Sequence, residues 1–357
     1  MFAFPAREWV YMLFLLFAFN YIKSQEVKDS VNIPEEQKLY EKAIKCLDSL
    51  QYDKAEQLLL QATKINKKYT TALMKLGYIK LQQKDWKSSE KYFKLVLKYD
   101  VSQWEALKYL GKIYYETKKY NESKKMLDSA YHYEAQDPEL LFYRAQLMVA
   151  GKAYKEALQP LNEAIDINPN MIEAYVLRAE ISFHIKQFNE CIKSITDAIN
   201  RMPADKKDYN AYKLRAKAYF EIGKFKESIQ DFNVYLEAVP NDEEALILRA
   251  SAKINTNDFA SAITDLDEAI KINPNNPVSY NYRGAAKGGL NKFKEALQDL
   301  DYAIKLKFDY ASAYVNRAAV KYAIRDRRGA CKDLEKADAL GDQMAYQLIQ
   351  EYCKGIQ

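Results

Sequence analysis

The sequence predicts an all-α fold, nine helical hairpins in tandem closed by one further helix. Three observations predict it. A Gly or Ala recurs every 34 residues, and a second small residue follows each of them by twelve. Only ten glycines and nine prolines interrupt the 357 residues, which suits long helices joined by short turns. With 48% apolar and 29% charged residues, the composition excludes a disordered chain.

The register is read by counting. Steps of 34 back from Ala179 reach Ala145, Gly111, Gly77 and Ala43. Forward, one step of 37 reaches Ala216, and steps of 34 then give Ala250, Gly284 and Ala318. The three extra residues belong to RMPADKKDY, 201–209, of which 204–208 are expected to form the longest loop between hairpins. They explain why EAIDINPN at 163–170 returns as EAIKINPN at 268–275, 105 residues on. The second small positions are Ala55, Ser89, Ser123, Ala157, Cys191, Ser228, Ala262, Ala296 and Ala330. Two small side chains in register let the paired helix axes approach closely.

Between them, nine residues after the first, stands an aromatic: Tyr52, Trp86, Tyr120, Tyr154, Phe188, Phe225, Phe259 and Phe293, with Arg327 in the last copy. Four residues before the first come Leu39, Leu73, Leu107, Leu141, Tyr175, Tyr212, Leu246, Tyr280 and Tyr314, so many of the 29 tyrosines belong to the framework. Pro169, Pro203, Pro240 and Pro274 fall where the second helix must end. Lys67, Val101, Ala135, Phe308 and Asp342 replace proline in the other copies, where a less sharp turn is expected.

In chain order, residues 1–24 come first. Arg7 precedes the apolar run 9–19, too short to span a bilayer and fitting a secretory signal peptide cut after Ser24, or else an uncleaved anchor. A linker, 25–35, follows, with Pro34 suited to a first helical turn. The repeats occupy 36–69, 70–103, 104–137, 138–171, 172–208, 209–242, 243–276, 277–310 and 311–344. Residues 345–357 supply a capping helix and tail, and in DQMAYQLIQEYCKG, 342–355, Met344, Leu348, Ile349 and Tyr352 are expected to form its greasy face.

This pattern resembles the tetratricopeptide repeat over about residues 36–344. Residues 243–276 carry it best, with Leu246, Ala250, Phe259, Ala262, Leu266, Ala269 and Pro274 at the family's offsets. The resemblance implies a right-handed superhelical solenoid whose first helices line a concave groove and whose ends need caps. It also implies a binding protein. The expected protein is an exported bacterial one, in the periplasm or outside the cell, and associated with a membrane only if its N-terminal segment stays uncleaved.

The two histidines, His132 and His184, lie in different repeats without metal spacing, and no phosphate loop or nucleophile–base pair appears. No catalytic residue, metal or cofactor is therefore expected, and no enzyme. A net charge of +5 gives no signal for nucleic acid. The expected partner is another protein, bound by a monomer or weak oligomer. From the family geometry the groove face includes Lys108, Lys112, Tyr115, Phe142, Gln146, Glu173, Val176, Glu180, Phe183, His184, Lys213, Lys217 and Phe220. Such a mixture suits an extended peptide or a helix, though the phenylalanines could equally pack between hairpins. The alternative function is a regulatory or substrate-binding module of a cell-envelope glycan-processing complex. The mature chain's two tryptophans, Trp86 and Trp104, fall at framework offsets and do not favour it.

Two side-chain patterns complete the reading. Arg144, Arg178, Arg215, Arg249, Arg283 and Arg317 share one repeat position, and from Arg215 on an Asp follows 16 residues later. An ion-pair ladder is expected there. Arg144 and Arg178, with Pro160 and Ser194 in place of Asp, are the candidates for binding something else. Cys331 and Cys353 lie equidistant from the Gly341–Asp342 turn, within reach of a disulfide or packed as two small apolar residues; Cys46 and Cys191 are expected free and buried.

Overall fold

The computed structural model describes residues 33–354. The expected signal segment and most of the linker lie outside them. The described residues form 19 helices and no strand. They fall into two compact units, 33–135 and 136–354.

The N-terminal unit holds three hairpins: α1 (Glu35–Asp48) with α2 (Tyr52–Ile65), α3 (Thr70–Gln82) with α4 (Trp86–Tyr99), and α5 (Trp104–Glu116) with α6 (Tyr120–Tyr133). The C-terminal unit holds six. These are α7 (Pro138–Ala150) with α8 (Leu158–Ile167), α9 (Ile172–His184) with α10 (Phe188–Arg201), and α11 (Tyr209–Glu221) with α12 (Phe225–Ala238). Then come α13 (Glu243–Asn255) with α14 (Phe259–Ile272), α15 (Pro277–Gly289) with α16 (Phe293–Leu306), α17 (Ala311–Ala323) with α18 (Arg327–Ala339), and the single helix α19 (Gln343–Tyr352).

Each hairpin is built on the small pair. Ala43 and Ala55, or Ala179 and Cys191, are fully buried where the two helices touch. A serine at the second position adds a bond across the contact: Ser89 donates to the Gly77 carbonyl, Ser123 to Gly111 and Ser228 to Ala216, at 2.8–2.9 Å. A large side chain 16 residues after the first small one plugs each hairpin. These plugs are Leu59, Phe93, Leu127, Leu161, Ile195, Phe232, Leu266, Leu300 and Leu334, and only Leu334 retains any exposure, at 5%. A Cβ on Gly77 would stand 2.6 Å from the Phe93 ring, so the missing methyl is the space the ring needs.

The turn inside every hairpin passes through one left-handed residue, satisfying carbonyls at the end of the first helix. Eight of these nine residues carry a side chain, Lys84 (φ 58°) and Asn257 (φ 62°) among them. Between hairpins, the connections at Lys67, Val101, Ala135 and Phe308 have four residues, as do those at Pro169, Pro240 and Pro274. The turn to α19 has three. The 202–208 connection has seven and is the longest between hairpins. Its Lys206 and Lys207 are exposed. Limited trypsin digestion is expected to cut there first; an earlier cut elsewhere in 33–354, mapped by mass spectrometry, would refute this.

α8 departs from the register. The other second helices begin at the position of the repeat aromatic, Arg327 in the last copy, but regular helix here starts at Leu158 rather than Tyr154. Pro160 has no N–H to donate to the Glu156 carbonyl, so the first turn stays irregular.

The arginine row ties hairpins together in the C-terminal unit. Arg215, Arg249, Arg283 and Arg317 each hold the Asp 16 residues on with two parallel bonds of 2.6–2.9 Å. The remaining amino group reaches back to the preceding hairpin, at Thr196, Asn233, Asp267 and Asp301 respectively. Lys253, Lys287 and Lys321 add a second cation to Asp265, Asp299 and Asp333. These aspartates are only 4–6% exposed, so this is a buried network rather than a surface one. The N-terminal unit has no arginine; its 20 lysines against 14 acidic residues also concentrate positive charge there instead of spreading it evenly.

At the C-terminus, α19 buries Ala345 and packs Leu348 and Ile349 beside Leu334 and Ala337. Met344 is 61% exposed, a correction to the expected face. It lies about 100° around the helix from Ala345, at 3.6 residues per turn. Cys331 and Cys353 are joined by a disulfide, their Cα atoms 5.7 Å apart and 22 residues apart in sequence. Cys191 is free and buried, and burial, with Glu180 nearby, pushes its thiol up to about 12. Cys46 is free but only half-buried, another departure from expectation. Alkylation of the native, unreduced protein is expected to label Cys46 and to spare Cys191, Cys331 and Cys353. Labelled Cys331 in the mass spectrum would contradict the bridge.

Candidate functional site: a cleft beside the long loop

Helices α7 and α9 and the 202–208 loop enclose a cleft of about 550 Å³ within the C-terminal unit. On α9, Ile172, Val176 and Glu180 are spaced by four, and Glu173 and Leu177 likewise, so one side of the helix faces it. Phe142 and Gln146, one turn apart on α7, form the opposite wall. The three-residue excess of the repeat supplies the third. Met202 and Pro203 extend the apolar surface, and a turn with the Lys206 N–H donating to the Pro203 carbonyl at 2.9 Å carries the chain back. Asp208 is fixed by capping α11, its carboxylate accepting from the Asn210 N–H at 2.9 Å.

Phe142, Ile172, Val176, Leu177, Met202 and Pro203 give the cleft its apolar lining. Gln146, Glu173, Glu180, Lys206 and Asp208 edge it with polar groups. Glu180 opens into the cleft, yet surrounding protein strips part of its hydration. That loss, and then the charge of Asp208, raise its carboxyl above the usual carboxylate range.

Five expected groove residues thus converge: Phe142, Gln146, Glu173, Val176 and Glu180. The others lie elsewhere. Lys213 bridges Asp242 and Glu244 at 2.7 and 2.8 Å, and Lys217 bonds Glu244 at 2.8 Å. Burial alone would lower the Lys213 ammonium, but these carboxylates outweigh it and raise it. Asp242 caps α13 and also accepts from Tyr235 at 2.7 Å, so both lysines are committed to the join between hairpins. Phe183 packs edge-on against Phe188, Phe220 against Phe225, and His184 lies 4.1 Å from the Tyr154 ring. In the N-terminal unit, Lys108 is 3% exposed with its ammonium 5.0 Å from the Trp104 and Tyr109 rings, while Tyr115 meets Tyr120 and Lys112 is half-buried.

Arg178 does not stand apart from the ladder. It donates to Ser194 at 3.0 Å and to Asn162 at 2.9 Å, using neutral acceptors at the same two repeat positions as the later arginines. Arg144 lies half-buried on α7. The cleft walls from the loop, Met202, Pro203, Lys206 and Asp208, were not among the expected groove residues. The signal for them was the extra three residues in the repeat count. Among the described residues no group of His, Cys, Asp and Glu is arranged to hold a metal ion, and no helix is long and apolar enough to cross a membrane.

Comparison with known proteins agrees with this architecture. A family model described as tetratricopeptide repeat matches residues 213–277, and one described as anaphase-promoting complex, cyclosome, subunit 3 matches residues 116–198. Residues 213–277 thus carry the tetratricopeptide repeat, in a register that the hairpins on either side share. Among solved structures, Pseudomonas aeruginosa PilF is 14% identical over 57% of this chain and 92% of its own, with a TM-score of 0.50, a likeness of fold alone. A tetratricopeptide repeat protein from Parabacteroides merdae is 19% identical over 70% and 98%, with a TM-score of 0.45. YrrB, described as a TPR protein with an unusual peptide-binding site, is 18% identical over 54% and 97%, with a TM-score of 0.43. No curated protein matches the chain. The fold supports a scaffold for protein–protein interaction.

Proposed function

We propose that this protein is an exported, non-enzymatic scaffold that holds a segment of a partner protein in the cleft between α7, α9 and the 202–208 loop. The observation carrying this is the cleft itself. It is concave and lined by six apolar and five polar side chains, as a site for one face of a peptide or helix should be. Export draws support from the apolar run near the N-terminus. The glycan reading gains nothing here, because the lining contains one aromatic side chain, Phe142.

A photo-crosslinking amino acid at Lys206, installed in cells that make the protein, tests the site. A discrete protein adduct is expected, and Gln146→Trp, which fills the cleft, should abolish it. An adduct equally strong in the filled variant would remove the cleft from the mechanism. Sequencing the N-terminus of the native protein tests export, with Gln25 the expected first residue.

A further inference from the structure

We infer that the cleft takes a partner segment carrying a lysine or arginine beside an apolar side chain, with the cation facing Glu180 and Asp208. This deepens the function proposed above and rests on the cleft being the binding site. The rim holds three carboxylates, Glu173, Glu180 and Asp208, against the single ammonium of Lys206. Further along the same unit, acidic groups on the first helices are neutralised within the protein, as Lys213 and Lys217 neutralise Asp242 and Glu244. Within the described residues no ion pair or hydrogen bond meets the Glu173 or Glu180 carboxylate, and that of Asp208 receives only the Asn210 N–H it caps.

The loop therefore brings a like charge toward Glu180, and the one cation it adds to the cleft, Lys206, forms no ion pair with that carboxylate. Lost hydration first, and that repulsion second, raise the Glu180 carboxyl. A guanidinium or ammonium entering over the apolar floor relieves that repulsion, while its stem packs on Val176 and Met202. A carboxylate from a partner would add a further like charge.

Proton linkage follows with a definite sign. Glu180 is faced by Glu173 on its own helix, by Asp208 and Lys206 of the loop, and by the Cys191 thiol of α10, which burial keeps uncharged. α7 contributes only Phe142 and Gln146. Because the Glu180 carboxyl is raised, it takes up its proton early as pH falls, and the attraction for a cation falls with it.

Fluorescence anisotropy with the full chain decides the matter. The probe is a short labelled peptide alternating leucine and lysine, beside counterparts with glutamine or glutamate for lysine. The lysine peptide is expected to bind about tenfold more tightly than the glutamine one, with the glutamate peptide weakest. In Glu180→Gln/Asp208→Asn, which keeps the helix cap, the lysine–glutamine gap should close. Lysine-peptide binding should also weaken as pH falls through the raised Glu180 value. A gap that survives in the double variant, or a glutamate peptide bound as well as the lysine one, overturns the charge assignment. If Gln146→Trp leaves the binding of every peptide unchanged, or no peptide binds, the cleft reading itself fails and this inference with it.

Discussion

Asp299→Ala is expected to destabilise the C-terminal unit by about 3–5 kcal/mol, the cost of taking a buried anion from the two partly buried cations that share it. Asp299 receives two bonds from Arg283 and one from Lys287, at 2.7–2.9 Å, and its side chain is 8% exposed. Arginine cannot escape by losing its proton, since its charge persists at any accessible pH. Lys287 keeps only a 3.5 Å contact with Glu295. Asp301→Ala is the internal control. Asp301 is 61% exposed and pairs with the back-reaching nitrogen of Arg317, which keeps Asp333. Its loss should cost less than about 1 kcal/mol. Urea unfolding of the full chain, followed by hydrogen exchange over 277–323, measures both. Equal costs would mean that the ladder contributes through something other than buried charge.

Phe93→Ala comes next, at about 3–5 kcal/mol for the ring and the cavity it leaves. Phe93 is fully buried and plugs the second hairpin against Gly77. Gly77→Ala should cost about 1–3 kcal/mol, because its methyl would stand 2.6 Å from that ring. The pair must then be coupled. Gly77→Ala/Phe93→Leu reproduces the Ala–Leu combination of Ala43 with Leu59 and Ala145 with Leu161, both buried and close-packed. It should be less destabilised than the two single costs added together. Strict additivity in a double-mutant cycle would show that the methyl and the ring do not compete for space.

The framework was legible because it repeats. One Ala proves nothing, but a small residue at one offset in nine copies leaves a single packing solution, and the ladder followed from the Arg–Asp spacing. Other features were hidden for physical reasons. Lysine does not advertise a left-handed turn, so Lys84, Lys118, Lys152 and Lys186 gave no hint of their positive φ. The rotation of α19 about its axis could not be fixed from four apolar letters, and Met344 was placed on the wrong side. The site was half legible. Helix faces gave the α7 and α9 walls, but the direction taken by the 202–208 loop depends on tertiary packing. The same packing, unreadable from one position at a time, gave Lys213 and Lys217 to the acids of the next hairpin.

The arginine straps also bear on how such a chain can change length over generations. Each guanidinium needs one acceptor in its own hairpin and one in the hairpin before, and the preceding acceptors, Asn162, Thr196, Asn233, Asp267 and Asp301, all occupy the same repeat position. Loss of 243–276 would present Arg283 with Asn233 in place of Asp267 and still leave Asp299 in its grasp. Gain of a copy would add a strap and its partners together. Whole-repeat duplication and deletion are thus close to neutral for this network, whereas a gap of any other size orphans a buried charge. The ladder acts as a reading frame at the level of the fold. The insertion between α10 and α11 observes it too: it lengthens the span from Arg215 to its preceding partner to 19 residues, and the bond to Thr196 is kept at 3.1 Å because the extra chain leaves the stack as a loop.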